Sequence, residues 1–181
     1  MEIKIIDETE KDIFNNFMAY GPKGHVLQSY EWGEVKRSTG WQPIRLLVMD
    51  EGKPKAGISI LKRKLPIPGF NKCIFYAPRG PVADYTDKAV LRFLFTYVKS
   101  LAKQHGAILM KIDPDIKAPN NEVVRNLKSL GFKPVDSGKD FEGVQPKFVF
   151  RLDISEPLED VAANFHSKTR YNIRLAERRG V

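Results

Sequence analysis

Trp41-Gln42-Pro43-Ile44-Arg45-Leu46-Leu47-Val48-Met49-Asp50-Glu51-Gly52-Lys53-Pro54-Lys55-Ala56-Gly57-Ile58-Ser59-Ile60-Leu61-Lys62-Arg63-Lys64 reads as a strand, a turn and a returning strand. Trp41 to Met49 is the first strand, Asp50-Glu51-Gly52-Lys53 the hairpin turn and Ala56 to Lys64 the second strand. Pro66-Ile67-Pro68-Gly69 ends the pair, and Asn71 to Ala77 is a third strand of the same group.

Helical patterns flank this group on both sides. Upstream, Ile3-Lys4-Ile5-Ile6 reads as a short strand, and Thr9 is placed to cap a helix over residues 10–19 with Ile13, Phe14 and Phe17 on one face. Gly21-Pro22-Lys23-Gly24 breaks the chain, and Ser29 caps a short helix over 30–38. Trp32 and Lys36 are four apart there, hence on one face. Downstream, Thr86 caps a helix over 87–104 whose Val90, Leu91, Leu94, Tyr97, Val98 and Leu101 form an apolar stripe. His105-Gly106 ends it. Ala107 to Ile112 reads as a buried strand, Asn120 or Asn121 starts a helix ended by Gly131, and Phe132–Asp136 and Lys147–Asp153 read as two more strands. Pro157 opens a final helix reaching Arg179. Strands and helices in this order predict an α/β (α+β) domain, a mixed β-sheet flanked by helices.

Composition narrows the class. With 42% hydrophobic and 29% charged residues the chain has the make-up of a globular protein rather than a disordered one. Cys73 is the only cysteine, which excludes an intrachain disulfide and a Cys-only zinc site; its apolar neighbours favour a buried thiol. The opening Met1-Glu2-Ile3-Lys4-Ile5-Ile6-Asp7 lacks the long apolar core of a signal peptide, and no run reaches the length of a transmembrane helix, so the expectation is a cytoplasmic protein able to touch a membrane surface. The net charge of +8 points to an anionic partner. Half of that excess lies in residues 164–181, where Lys168, Arg170, Arg174, Arg178 and Arg179 face only Glu177. Arg170, Arg174 and Arg178 recur every four residues in one stripe, either a solvated helix face or a surface that meets phosphates. Gly180-Val181 ends the chain where another strand is expected to begin, so a longer protein is expected.

The usual catalytic signatures are absent: no Gly-x-Ser-x-Gly elbow, no Walker A loop, no Gly-x-Gly-x-x-Gly, and three histidines (His25, His105, His166) without metal-ligand spacing. Three segments carry candidate chemistry. In Ser29 to Lys36, Lys36 is either a surface lysine or a point charge for a phosphate, beside Trp32, which is either core or a support for a base or sugar. Tyr76-Ala77-Pro78-Arg79-Gly80-Pro81-Val82 follows a strand, where binding loops concentrate; Arg79 there is either tied to carbonyls or a ligand contact. Lys111-Ile112-Asp113-Pro114-Asp115 sets two carboxylates after a strand, for loop capping or for recognition of an amine or hydroxyl.

Taken in order, these pieces resemble the Fem family of peptidoglycan interpeptide-bridge aminoacyltransferases, over most of the chain. The resemblance runs through Gln28-Ser29, Trp32, Lys36, Gly40-Trp41, Tyr76-Ala77-Pro78-Arg79-Gly80-Pro81-Val82, Ile112-Asp113-Pro114, Leu130-Gly131-Phe132, Gln145-Pro146, Leu152-Asp153 and Ser167-Lys168-Thr169-Arg170-Tyr171-Asn172-Ile173-Arg174. It implies two units of the GNAT-like acyltransferase fold: the first over 1–153, with 154–181 as the helix opening the second, and a fragment inactive alone. It implies transfer of an amino acid from aminoacyl-tRNA to an amine on the stem peptide of a UDP-MurNAc-peptide or a lipid-linked muropeptide. No metal and no cofactor is implied. The resemblance implies that Lys36 holds the nucleotide diphosphate and places Asp113 near the substrate cleft; Trp32 and Arg79 join them as substrate contacts from the reading of their own segments. Lys168, Arg170, Arg174 and Arg178 would meet tRNA, precursor phosphates or an anionic membrane. Arg79-Gly80-Pro81-Val82 departs from the pyrophosphate loop of acetyl-CoA enzymes, and Pro81 lacks a donor, so no coenzyme A is expected. Two other readings stay open: a basic RNA- or tRNA-binding module without catalysis, and a related acyltransferase acting on another amine.

Overall fold

In the computed structural model, residues 1–69, 71–117, 119–135, 150 and 152–181 are described. They fall into two compact units, Met1–Val135 and Asp136–Val181.

The first unit is built on one mixed sheet. Strands β1 (Glu2–Ile5), β2 (Gln42–Asp50), β3 (Lys53–Lys64), β4 (Cys73–Ala77) and β6 (Ala107–Ile112) lie side by side in that order, and the two-residue β5 (Val82–Ala83) pairs with β3. Neighbours are antiparallel except β4 and β6, which run parallel with Ala77 opposite Ile112. The hairpin turns at Glu51 and Gly52, both with positive φ, and β3 starts at Lys53, earlier than the expected Ala56.

Both faces of the sheet are covered, so Leu46-Leu47-Val48-Met49 is apolar without alternation. Leu46 and Val48 face one cluster with Ile58, Ile60 and Phe75 and with Leu91, Leu94 and Val98 of α3 (Lys88–Gln104). Leu47 and Met49 face the other, with Phe14 and Met18 of α1 (Lys11–Tyr20). Asp87 rather than Thr86 caps α3; its carboxylate accepts from the amides of Ala89 and Val90. Helix α2 (Tyr30–Arg37) is capped by Ser29, and α4 (Asn121–Ser129) by Asn120.

Three further expectations are corrected. Strand β6 is not buried: it ends the described sheet, and Ile108 and Leu109 are more than half exposed. Phe132 to Val135 form no strand. The Phe132 N–H donates instead to the Leu127 carbonyl at 3.1 Å, closing α4 over Gly131 in the left-handed region, and its ring meets Phe95 edge-on. The final helix is two helices, α5 (Leu158–Ala163) and α6 (Ser167–Arg178). His166 is extended between them and caps α6, its Nδ1 accepting from the Lys168 amide. The strand expected over 147–153 lies outside the described residues but for Phe150, Leu152 and Asp153, which are in no strand.

Candidate functional site

The candidate residues of the site lie along β4, from Trp41, level with its first half, to the turn that follows Ala77. The first wall is α2. Gly33 lets this helix sit on β2, since a Cβ there would lie 2.9 Å from the Pro43 side chain and closer still to Arg45. The buried Arg45 guanidinium donates to the Tyr30 carbonyl at 2.8 Å and to Glu34 at 2.6 Å, and it stacks on the Tyr30 ring at 3.6 Å. A buried cation is stable only when paired in this way. Burial tends to raise the Glu34 carboxyl, but Arg45 and Arg37 outweigh it and hold the group below the usual carboxylate range.

On this anchored helix, the Lys36 ammonium lies 4.7 Å from the centre of the Trp32 ring, a cation–π distance. The Trp41 amide donates to the Lys36 carbonyl, so the chain passes from α2 directly into an aromatic strip. Trp41 and Tyr76 lie 6.4 Å apart, with Arg63 over Trp41 at 5.4 Å and Lys111 over Tyr76 at 5.8 Å.

The second wall is the turn after β4. Arg79 has φ of +56°, a left-handed conformation that side-chain-bearing residues adopt at a cost of about 1 kcal/mol or more. The turn is held there from four directions. Asp113 accepts from the Arg79 amide at 2.7 Å and from the Tyr76 hydroxyl at 2.9 Å. Gly80 N–H reaches the Ala77 carbonyl. The Pro81 carbonyl accepts from the buried Tyr85 hydroxyl, whose ionisation is pushed up by burial and then by the Asp113 charge. The Pro78 carbonyl accepts from Gln28 at 2.7 Å.

Gln28 is fully buried. Along one edge of β3, β5 pairs at 56–57 and β4 at 61–64, leaving a gap. Gln28 fills it: its Oε1 accepts from the Ser59 amide at 2.8 Å, and its Nε2 donates to the Ser59 carbonyl at 3.2 Å as well as to Pro78. One amide side chain thus substitutes for a strand and positions the turn.

Lys36 and Trp32 are therefore brought together, as are the Arg79 amide and Asp113; Trp41, whose amide bonds to Lys36, lies near Tyr76, whose hydroxyl donates to Asp113. Gln28 entered the sequence reading only as part of the family resemblance, and Arg45 and Tyr85 were not singled out; the bonds of Gln28 and Arg45 reach segments distant in sequence, and no local pattern marks such a bond. The expected substrate contacts in the second unit are less uniform. Arg170 donates to the carbonyls of Ala163 and Phe165 at 2.8 and 2.6 Å, bracing the break between α5 and α6. Lys168, Arg174 and Arg178 are exposed. Cys73 is buried and its thiol is pushed up by burial, which keeps it protonated and unreactive. Among the described residues no group of three His, Cys, Asp or Glu side chains is placed to hold a metal ion.

The model of the FemAB family matches residues 9–181. The chain belongs to the FemAB family. It is 34% identical over 167 residues to the lipid II:glycine glycyltransferase of Staphylococcus epidermidis (strain RP62A), covering 91% of this chain and 40% of that protein. It is 34% identical over 183 residues to the lipid II:glycine glycyltransferase of Staphylococcus haemolyticus, covering 99% of this chain and 42% of that one. The chain thus spans about two fifths of the length of these relatives. The crystal structure of FemX superimposes with a TM-score of 0.84 at 30% identity, over 99% of this chain and 44% of FemX. An aminoglycoside 6'-N-acetyltransferase of Acinetobacter haemolyticus superimposes at 0.51 with 15% identity, over 84% of this chain and all of that one, a likeness of fold alone. The mixed α+β sheet and the GNAT-like fold expected from sequence are both found.

Proposed function

We propose that this chain is the acceptor-binding part of an aminoacyltransferase. The whole protein moves an amino acid from aminoacyl-tRNA to an amine on the stem peptide of a peptidoglycan precursor. The reaction is aminolysis of an ester: the amine attacks the ester carbonyl, an amide bond forms, and the ribose hydroxyl of the tRNA leaves. The chemistry balances without a redox partner. The names of the staphylococcal relatives support a lipid-linked muropeptide as acceptor, with the UDP-MurNAc-peptide as the soluble form of the same headgroup. A cytoplasmic position at the inner face of the membrane fits that substrate, and no helix among the described residues is long and apolar enough to cross a bilayer.

The observation that carries the reading is the Lys36 ammonium held over Trp32 beside the Trp41–Tyr76 strip. A diphosphate takes the ammonium, and a flat base or sugar takes the aromatic surface. Arg79 and Asp113 are the further substrate contacts of the reading, with Asp113 acting through the turn it holds. Coenzyme A is not part of the reading. The Arg79 and Gly80 amides are already bonded, and Pro81 has none, so the turn offers a pyrophosphate no row of free donors. In the second unit, Lys168, Arg174 and Arg178 are the cations available to tRNA phosphates, which also keeps the reading of a tRNA-binding module in view. The chain covers about two fifths of the length of its relatives, which supports the reading that it is inactive alone.

Calorimetric titration of the full protein with a UDP-linked muropeptide tests the proposal. Lys36→Ala is expected to weaken binding about tenfold, the scale of one charge-assisted contact. Binding that Lys36→Ala leaves unchanged overturns the assignment of the diphosphate to this helix.

A further inference from the structure

The outer face of α3 lies on the opposite side of the sheet from α1. Its seventeen residues contain no carboxylate. Lys88, Arg92, Lys99 and Lys103 recur at spacings of four, seven and four, which keeps all four on one flank of the helix. All are exposed, and among the described residues none lies within ion-pair distance of a carboxylate. Alongside this flank runs an open groove of about 580 Å³ between α3 and the start of β1. Met1, Ile3, Phe93 and Tyr97 give it an apolar lining, with Thr96 and Arg92 on the helix side.

We propose that this face docks the protein on an anionic lipid bilayer, the four cations meeting headgroups while the Met1–Phe93–Tyr97 groove enters the acyl boundary. Two signals side by side, a basic stripe and an apolar insertion surface, are what stable attachment of a peripheral protein requires. Charge complementarity selects an anionic surface. The aliphatic Met1 and Ile3 beside the stripe suit acyl chains and offer nothing to a phosphate backbone. The inference stands on α3 and β1 alone and does not depend on which precursor the site accepts.

Sedimentation of the full protein with vesicles tests it. Binding is expected to vesicles of phosphatidylglycerol and phosphatidylcholine at 3:7 (an arbitrary working ratio, about 30% anionic), and not to phosphatidylcholine alone. Lys99→Glu with Lys103→Glu should weaken that binding about tenfold or more. Thr96→Asp, an exposed position that adds a charge to the groove without removing core packing, should weaken it at both low and high salt. Circular dichroism confirms that the variants remain folded, and Arg174→Glu with Arg178→Glu, on another unit, should bind vesicles as the parent does. The proposal is overturned by equal binding to neutral vesicles, by no binding to either, or by folded α3 variants that bind like the parent. It is equally overturned if those variants lose affinity for RNA while keeping it for vesicles.

Discussion

Gln28 is the residue on which the site's geometry turns. Its side chain makes three hydrogen bonds in the interior, two to Ser59 and one to Pro78. Truncation strands their partners without water, at about 1–3 kcal/mol for each orphaned group. Gln28→Ala is therefore expected to lower stability by roughly 3 kcal/mol, read as a lower urea midpoint at unchanged slope. Asp113 works on the same turn from the other side. Asp113→Ala frees the Arg79 amide and the Tyr76 hydroxyl together, so amide exchange at Arg79 and Gly80 should speed up by about tenfold or more while α3 keeps its protection. These residues show what sequence makes legible. Lys36, Trp32, Arg79 and Asp113 were visible because charge, aromatic spacing and loop position mark them locally. The roles of Gln28 and Arg45 were not, because a buried polar side chain is explained by its partners, and those lie 31 and 50 residues from Gln28 and 11 to 15 from Arg45.

At the scale of elements, α2 is pinned by charge as much as by packing. Glu34 bridges Arg45 from the sheet and Arg37 from its own helix. Its folded pKa lies below the ordinary 4.5. The bridge therefore contributes stability above that value and loses it as pH falls through the folded one. Glu34→Gln should reduce stability at neutral pH by about 1 kcal/mol, given the exposure of the carboxylate. It should also remove part of the acid-side fall below about pH 4.5, followed by thermal unfolding from pH 3 to 7. Elements with strong periodicity, α3 above all, were legible to within a residue or so. Two of the failures share a cause: Phe132 gives its amide to the end of α4, and Arg170 gives its guanidinium to carbonyls of the α5–α6 break. Both are tertiary or capping bonds that override a plausible local pattern.

At the scale of the whole molecule, two surfaces gather cations without matching carboxylates, the flank of α3 and the exposed cations of α6. The proposed function gives them different partners, and salt separates the roles. Arg174→Glu with Arg178→Glu should lower the dependence of aminoacyl-tRNA affinity on the logarithm of salt concentration by roughly one unit per arginine, measured by filter binding. The α3 pair should leave that slope unchanged. An identical slope in the α6 variant would remove this helix from the tRNA path. The fold class was legible because three consecutive strands followed by a long amphipathic helix leave few arrangements. The cluster on the last helix was counted in sequence, whereas the cations of α3 stand out only once the folded sheet shows that they adjoin an apolar groove.

The contact between Gly80 and Gln28 also bears on how this protein can change over time. A β-carbon at position 80 would begin 2.5 Å from the glutamine amide. Any larger residue there is open only to a lineage that has already given up the glutamine. Such a lineage has also loosened the turn that carries Arg79. The two positions are thus bound into a single heritable choice, and the order of steps matters: a gain at 80 before a loss at 28 meets a clash, whereas the reverse order meets an empty slot. In libraries that vary both positions together, survivors should keep the glutamine–glycine pair or replace both, with glutamine beside a larger residue the depleted class.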